Sequence, residues 1–274
     1  MSRISWLFVK NHAMADISTE GEPPMRLFAA LVCLVFANLL ALHAQEAKPP
    51  VHWSYSGAEG PKNWGSIKPE YQTCKIGHEQ SPIDIRDAKK QVLPPIQFDY
   101  RPATLKIINN GHSIQVNYPP GSFITVGDKK YELKQFHFHH PSEEHVNGKP
   151  YDMVAHLVHA DPDGKLAVVA VLLHKGSANA LIAKIWKNLP ATEGPEAEVP
   201  GVEIDPSALL PSNKGYYTFP GSLTTPPCSE AVTWFVLKTP NELSAGEVAA
   251  FAKIYAHNAR PIQPRNGRTI AESQ

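Results

Sequence analysis

Residues 135–139 have the sequence Gln-Phe-His-Phe-His, and residues 153–159 have the sequence Met-Val-Ala-His-Leu-Val-His. Both are short, mostly apolar segments with aromatic or β-branched residues, which favours β-strands over helices. Side chains two residues apart on a strand point to one face, so the histidines of the first segment share a face and Phe136 and Phe138 fill the other. Burial of the phenylalanine face fixes the register. The two segments therefore predict core strands of one sheet.

Three histidines on these strands form a candidate metal site. His137 and His139 lie about 6.6 Å apart along one strand, and a neighbouring strand can bring His156 to the same point. Three neutral nitrogen ligands with a fourth position open are typical of a catalytic zinc rather than a structural one. The ordinary alternative is a set of partly buried histidines that are simply hydrogen-bonded. From the triplet alone, zinc, iron and manganese all remain open.

Further strand-like segments are separated by turn signals such as Asn110-Gly111 and Asp163-Gly164. Residues 51–91 show no sustained period and are expected to form an irregular segment packed on the core. The expected strands are Thr104–Asn109, Ser113–Asn117, Ser122–Val126, Lys130–His139, Met153–His159, Leu166–Leu173 and Ala231–Leu237.

Two other segments predict peripheral helices. Ser244 and Glu247 form a capping box ahead of a helix over residues 248–257. We expect a β-dominated α+β fold: a single domain around a large, twisted, mainly antiparallel central sheet with a few short peripheral helices. The other helix, over residues 177–189, places on one apolar stripe Leu181, Ile182, Ile185, Trp186 and Leu189.

The composition excludes some classes of partner. The chain has 274 residues, enough for one large domain, and its 26 Lys plus Arg residues equal its 26 Asp plus Glu residues. This balance gives no electrostatic reason to expect a nucleic acid or an anionic membrane surface as a partner. The composition favours a protein that acts on a small molecule.

The N-terminal region has the pattern of a secretory signal. Arg26 precedes a short apolar run that ends in small residues, which is too short for a stable membrane span. We expect residues 1–44 to be the signal peptide with a preceding extension, residues 45–50 a short tether and residues 51–274 the folded domain. Met25 is a candidate true start because acidic residues precede it, and cleavage is expected after Ala44. The alternative is an uncleaved anchor.

Two cysteines remain after the expected signal is removed, Cys74 and Cys228. In an exported chain a pair of cysteines suggests one disulfide, and two separate buried thiols are the alternative. Such a bond would close a loop of about 150 residues and contribute roughly 5 kcal/mol in the chain-entropy model. The expected location is the periplasm or the outside of the cell.

Beyond the histidines, long segments of the chain resemble the α-class carbonic anhydrases, in particular exported bacterial ones. Together they span about residues 51–270, nearly the whole expected mature chain. The matching segments are Gln135-Phe-His-Phe-His139, Ser142-Glu143, Ala155-His-Leu-Val-His159, Ser222-Leu-Thr-Thr-Pro-Pro227, Glu79-Gln-Ser-Pro-Ile-Asp84, Asn109-Asn-Gly-His112 and Val232-Thr-Trp234.

The resemblance implies a zinc ion on the three histidines and reversible hydration of carbon dioxide to bicarbonate and a proton, by zinc-bound hydroxide. Thr224 matches the family's gate-keeping threonine, and Glu143 matches the carboxylate behind it. A threonine hydroxyl held by a buried carboxylate can accept the hydrogen of the hydroxide and orient it. Glu144 is adjacent, but the 13-residue step from Glu143 to His156 agrees with the family's spacing.

The resemblance also implies roles for residues around the metal. His112 matches the shuttle histidine, which must titrate near neutrality, and Gln135 and Asn258 match residues that support the zinc ligands. Carbon dioxide has no net dipole, so its site should be apolar. The matching substrate-site residues are Val158, Val168, Leu223, Thr225, Val232 and Trp234, and the residues that match the water network are Tyr55, Asn110 and Gln115.

Two positions depart from the family pattern. A glutamate often stands two residues before the third zinc ligand and orients its other ring nitrogen, and this chain has Val154 there. Another acceptor, such as a backbone carbonyl, is therefore expected to hold His156. At position 115 the chain has glutamine where asparagine is often found. The expected inhibitors are sulfonamides and anions, and a homodimer is left open.

Two other functions fit part of the pattern. His137 and His139 followed by Glu143 also match the opening of a cupin motif, which would indicate an iron or manganese oxygenase or isomerase. Against it, the glycine expected after Glu143 is out of register and no Pro-x-Gly-x-x-His segment follows. The other alternative is a non-catalytic binding module with a carbonic anhydrase fold. Such a module should have lost zinc ligands, and all three are present.

Overall fold

A large mixed sheet forms the body of the protein in the computed structural model, which describes residues 52–274. The strands are β1 (Asp84–Ile85), β2 (Lys89–Gln91), β3 (Ile96–Asp99), β4 (Ala103–Asn109), β5 (Ile114–Asn117), β6 (Phe123–Val126), β7 (Lys129–His139), β8 (His145–Val146), β9 (Lys149–Pro150), β10 (Met153–Ala160), β11 (Leu166–Lys175), β12 (Ala197–Ile204), β13 (Tyr216–Ser222), β14 (Glu230–Leu237), β15 (Asn241–Leu243) and β16 (Ala271–Ser273).

The helices are short and peripheral, as expected. Three 3-10 turns, Gly57–Glu59, Pro69–Tyr71 and Pro206–Leu209, accompany them within the described residues. Among those residues no helix is both long enough and apolar enough to cross a membrane. The α-helices are α1 (Trp64–Ile67), α2 (Thr73–Ile76), α3 (Ala180–Trp186) and α4 (Ala245–Ala252).

The central sheet has the strand order β12-β4-β5-β7-β10-β11-β14-β13-β16-β2, with β6 on β7, β3 on β6 and β15 on β11. Its pairs are mainly antiparallel, and the parallel exceptions are β11 with β14, β11 with β15, and β16 with β2. A small separate sheet holds β1, β8 and β9. The predicted fold class is confirmed. The expected signal and tether, residues 1–50, lie outside the described residues.

The centre of the sheet is buried on both faces. On one face Phe136 and Phe138 pack with Leu157 into the main apolar cluster. On the other face a second cluster includes Val154 and Val168. Because both faces are covered, these strands consist of near-continuous apolar runs, which explains why their predicted bounds agree closely with the observed ones.

Two strands that contain proline were not predicted. β12 includes Pro200 and Gly201, and its pairing with β4 skips between Val199 and Glu203. This strand is at the edge of the sheet, where proline is tolerated. β13 includes Pro220, but its neighbour β16 pairs only with Tyr217 and Thr218, so no ladder bond is lost there. Residues 51–91 also contain more structure than expected, namely α1, α2, β1 and β2.

The last helix begins as predicted and ends early. The capping box of Ser244 and Glu247 is present, but α4 stops at Ala252 rather than continuing to residue 257. The chain leaves the helix because Asn258 contacts the end of β7, where its backbone N–H donates to the carbonyl of His140 at 3.1 Å. The prediction of a helix through residue 257 was therefore wrong.

Candidate metal centre

The three predicted histidines converge on one point. His137 and His139 lie at the end of β7, and His156 on β10 pairs directly with His137 across the ladder. One ring nitrogen from each lies within 4.8 Å of the other two. The fold therefore brings together three imidazoles that the alternation of the two strands aims at the same face.

The two histidines of β7 have their outer nitrogens occupied. Nδ1 of His137 donates to Oε1 of Gln135 at 2.8 Å, and Nδ1 of His139 donates to the backbone carbonyl of Asn258 at 2.7 Å. Each of these bonds fixes the tautomer and the ring orientation, which leaves Nε2 free for a metal. Gln135 and Asn258 are thus placed where the resemblance implied.

The third histidine has a different kind of partner. Nε2 of His156 lies 2.9 Å from Oε1 and 3.1 Å from Oε2 of Glu144. The nitrogen left for a metal is therefore Nδ1. Another acceptor was expected at this ring, and it is a buried carboxylate from the turn that follows β7 rather than the backbone carbonyl given as an example.

These donors fit a divalent metal of the zinc type. Nε2 of His139 is buried and has no hydrogen-bond partner among residues 52–274, as expected for an atom that serves as a ligand. Burial, with a smaller effect of His156, lowers the pKa of His137 to about 3, and the same causes lower the pKa of His139. Both rings are therefore neutral at pH 7, the state in which imidazole binds a metal.

Glu143 lies beside the centre, with its Oε2 3.9 Å from Nδ1 of His156. Its Oε1 accepts the backbone N–H of Arg260 at 2.8 Å, and Oε2 lies 3.5 Å from Nε2 of His139. Burial raises the pKa of Glu143 to about 7, against the lowering effects of His156, Arg260 and a hydrogen bond with the side chain of Thr224. The threonine and the carboxylate are therefore neighbours, as the resemblance implied.

An apolar wall adjoins the metal centre. Val168, Val232 and Trp234 belong to one buried cluster, and the ring of Trp234 is 4.9 Å from that of His156. Its indole N–H donates to the carbonyl of Ser222 at 3.1 Å, which fixes the ring. The other residues expected at this wall are half-buried, Val158 and Leu223 against the same cluster and Thr225 next to Thr224.

The ring of His112 lies against an aromatic side chain. Its ring stacks on Trp53, with centroids 3.5 Å apart and planes at 9°, and His52 stacks at 4.8 Å. Burial, and then the charge of His52, lower the pKa of His112 to about 4. In this arrangement the ring is neutral near pH 7 and does not match the titration expected of a shuttle.

The three residues expected to order water lie near residues of the candidate centre or near one another. The hydroxyl of Tyr55 is buried without a hydrogen-bond partner among the described residues, and burial followed by the charge of Glu143 raises its pKa. Asn110 donates to Oε1 of Gln115 at 3.3 Å, and Gln115 pairs with His137 on the adjacent strand. A buried hydroxyl with no protein partner is a natural site for an ordered water.

A disulfide closes the loop that carries Thr224. Cys74 and Cys228 are joined across a sequence separation of 154 residues, which confirms the predicted pairing. Arg260 donates to the carbonyl of Cys74 at 3.1 Å, and Gln80 donates to that of Cys228 at 3.0 Å. The bond therefore ties the threonine loop to the segment that holds Glu143.

The sequence did not reveal two features of the site. The adjacency of Glu143 and Glu144 was noticed, but nothing local to residue 144 indicates that it reaches His156 on another strand. The stacking of Trp53 on His112 was also missed because the two residues are far apart in the chain. The one signal for the contact between Glu144 and His156 was Val154, because the family's usual glutamate partner of this histidine is absent there.

Comparisons with known proteins cover most of the chain. The family model for eukaryotic-type carbonic anhydrases matches residues 59–274. A carbonic anhydrase of Nostoc sp. is 42% identical over 228 residues, which cover 81% of this chain and 86% of the relative. The matched region includes both histidine strands and the threonine loop.

Two solved structures are similar in both fold and sequence. The α-carbonic anhydrase from Thermovibrio ammonificans in complex with sulfanilamide has a TM-score of 0.78 and 43% identity, and the match covers 82% of this chain and 100% of that one. A hyperthermostable carbonic anhydrase identified from an active hydrothermal vent chimney has a TM-score of 0.79 and 47% identity, with coverage of 81% and 100%.

Proposed function

Because the chain belongs to the α-carbonic anhydrase family, we propose that it catalyses the reversible hydration of carbon dioxide to bicarbonate and a proton. The observation that carries this proposal is the set of three buried or half-buried imidazoles, each with one nitrogen hydrogen-bonded outward and the other directed to a common point. Neither a cupin enzyme nor a non-catalytic module is favoured, since the family match is clear and all three histidines are present.

The metal that fits this site is zinc, held by His137 and His139 through Nε2 and by His156 through Nδ1. Carbonic anhydrase is the standard example of what zinc supplies, since the ion lowers the pKa of a coordinated water to about 7 and so makes hydroxide available at neutral pH. The protein's contribution is to hold three imidazole ligands in fixed orientations and to leave one side of the centre open.

Thr224 and Glu143 orient the nucleophile. Thr224 is a neighbour of the Glu143 carboxylate, and when its hydroxyl donates to that carboxylate the threonine oxygen has only lone pairs to offer. It can then accept a hydrogen bond from hydroxide and hold that group with a lone pair directed at the substrate. Arg260 keeps the carboxylate in place through its backbone N–H.

Carbon dioxide binds against the apolar wall. Val168, Val232 and Trp234 offer no hydrogen bond toward the substrate, since the indole N–H is already used. An apolar surface next to a polar nucleophile favours an uncharged substrate and does not hold the charged product. This arrangement suits carbon dioxide better than a polar carbonyl compound.

His112 carries the released proton to solvent, along waters ordered by Tyr55, Asn110 and Gln115. The backbone of His112 is fixed because its carbonyl accepts from the side chain of Asn258 at 3.0 Å. In the stacked position on Trp53 the pKa of the ring is about 4, which is too low for efficient proton uptake near pH 7.

The remaining assignments rest on the family and on the sequence. Residues 51–274 form the catalytic domain, residues 1–44 contain the signal peptide, and the mature protein works in the periplasm or outside the cell. The disulfide supports an oxidising location. Sulfonamides and anions inhibit by binding at the metal, in line with the sulfanilamide complex of the Thermovibrio enzyme.

A stopped-flow hydration assay on protein of measured metal content tests this function. We expect stoichiometric zinc and rapid hydration in the parent protein, and loss of both in His139→Ala. The matched control is His174→Ala, which removes a histidine from the same sheet outside the metal centre, and we expect it to retain zinc and activity. Stoichiometric iron without hydration would contradict the proposal and favour the cupin alternative.

A further inference from the structure

Glu144, the hydrogen-bond partner of His156, reaches the ring from a different segment than the family pattern would place it. Glu144 stands in the turn after β7, while the position that carries a glutamate in the family pattern, residue 154 on β10, is a valine. We propose, on the basis of the zinc site above, that Glu144 has taken over the positioning of His156 and that the carboxylate has moved from β10 to this turn.

The geometry of the contact supports a dedicated role. Both oxygens of Glu144 lie within hydrogen-bond distance of Nε2 of His156, at 2.9 and 3.1 Å. Side-chain exposure is only 2% for the histidine and 1% for the glutamate. With Nε2 held in this way, Nδ1 is the nitrogen presented to the metal.

The burial of Glu144 is otherwise unexplained. Among the described residues its carboxylate has no hydrogen bond except the pair with His156, and a buried carboxylate is costly unless it is paired. Its neighbour Glu143 turns to Arg260 and Thr224. The two consecutive glutamates therefore have different roles: Glu143 acts through Thr224 on the nucleophile, and Glu144 orients the metal ligand His156.

Position 154, where the family pattern has the glutamate, is occupied by a buried valine in this chain. Val154 precedes His156 by two residues, so both side chains lie on one face of β10, and Val154 pairs across the ladder with His139. It is fully buried in the apolar cluster that includes Ile83 and Ile85. A carboxylate there would be next to the ring of His156, but Glu144 already fills that role and an apolar residue fits the remaining space.

The exchange can be tested by moving the carboxylate back. Glu144→Val removes the acceptor, and Glu144→Val with Val154→Glu returns it to β10. We expect the single variant to bind zinc about 10–100-fold more weakly, and the exchanged variant to recover most of that loss. The measurements are zinc affinity by chelator competition on folded apoprotein and the visible spectrum of the cobalt-substituted forms, which reports ligand geometry.

Two controls separate the explanations. Glu132→Gln, a surface change on β7, should leave zinc affinity unchanged. Zinc affinity of Glu144→Val within threefold of the parent would overturn the proposal. An exchanged variant that binds zinc no more tightly than Glu144→Val would also overturn it, because the loss would then come from the turn and not from the ring. These readouts do not require hydration, so an inactive but zinc-binding parent would refute the proposed function alone.

Discussion

At the scale of single residues, the position of His112 is the least expected feature of the site. A proton acceptor that works beside a group with a pKa of about 7 should titrate near that value, yet stacking on Trp53 and the proximity of His52 hold the pKa of His112 at about 4. Transfer to the stacked ring is therefore uphill by about three pKa units. The ring must leave the indole before it can accept a proton readily.

Replacement of Trp53 tests this interpretation. Trp53→Ala exposes the His112 ring to water, and since burial is the larger cause of the shift, the pKa should rise from about 4 toward its ordinary value near 6.5. His52→Ala removes only the smaller charge effect and should raise the pKa less. An NMR pH titration of the His112 ring measures both.

The same variants have a kinetic consequence. With a pKa nearer neutrality, turnover of Trp53→Ala in dilute buffer should equal or exceed that of the parent, and the difference should vanish in concentrated imidazole buffer, which carries the proton itself. His112→Ala in the same dilute buffer should be slower than both. Equal rates for His112→Ala and the parent would mean that protons leave by another path.

At the scale of elements, the two main helices support the metal strand from behind. Phe138 lies between His137 and His139 on β7, and its ring centroid is 4.8 Å from that of Trp186 in α3 and 6.4 Å from that of Phe251 in α4. The two helices are joined because the indole of Trp186 donates to the carbonyl of Glu247 at 2.9 Å. The orientation of α4 therefore depends on its first turn.

Removal of the helix cap should weaken this support. In Ser244→Ala the backbone N–H of Glu247 loses its acceptor, and the free energy of unfolding should fall by about 1 kcal/mol. For a domain of this size that lowers the melting temperature by roughly 2–4 °C. The matched control is Ser56→Ala, since Ser56 precedes a 3-10 turn without making a cap bond. Equal melting temperatures for the two variants would contradict the assigned role.

What could be predicted from the sequence follows from how local each signal is. β10 and β11 were predicted within a residue or two because their apolar runs reflect burial on both faces, and β7 because apolar and polar residues alternate along it. The three candidate metal ligands followed from strand alternation. Glu144 could not be assigned to His156, because that contact depends on the path of a turn and on the register between two strands, and neither is encoded near residue 144.

At the scale of the whole molecule, the sheet separates two tasks. One face carries the helices and the cluster around Phe136 and Phe138, and the other carries the metal centre and the cluster around Trp234. Alternation along β10 serves both, because Leu157 faces the first cluster and His156 the second. Rigidity of the site is thus a property of the entire sheet, and a constraint that links distant parts of it should matter for stability.

The disulfide links helix α2, which contains Cys74, to the loop between β13 and β14, which contains Cys228. It joins residues separated by 154 positions, and in the chain-entropy model a closed loop of this length stabilises the fold by about 5 kcal/mol, less any strain in the native state. Cys74→Ser with Cys228→Ser should therefore lower the free energy of unfolding by up to that amount in urea titrations. Because Cys228 follows Thr224 closely, the variant should also hydrate carbon dioxide more slowly per folded molecule. As a control, both proteins are treated with reductant. Reduction should lower the free energy of unfolding of the parent to that of the double-serine variant and leave the variant unchanged. An unchanged free energy of unfolding in the fully reduced parent would contradict the stabilising role.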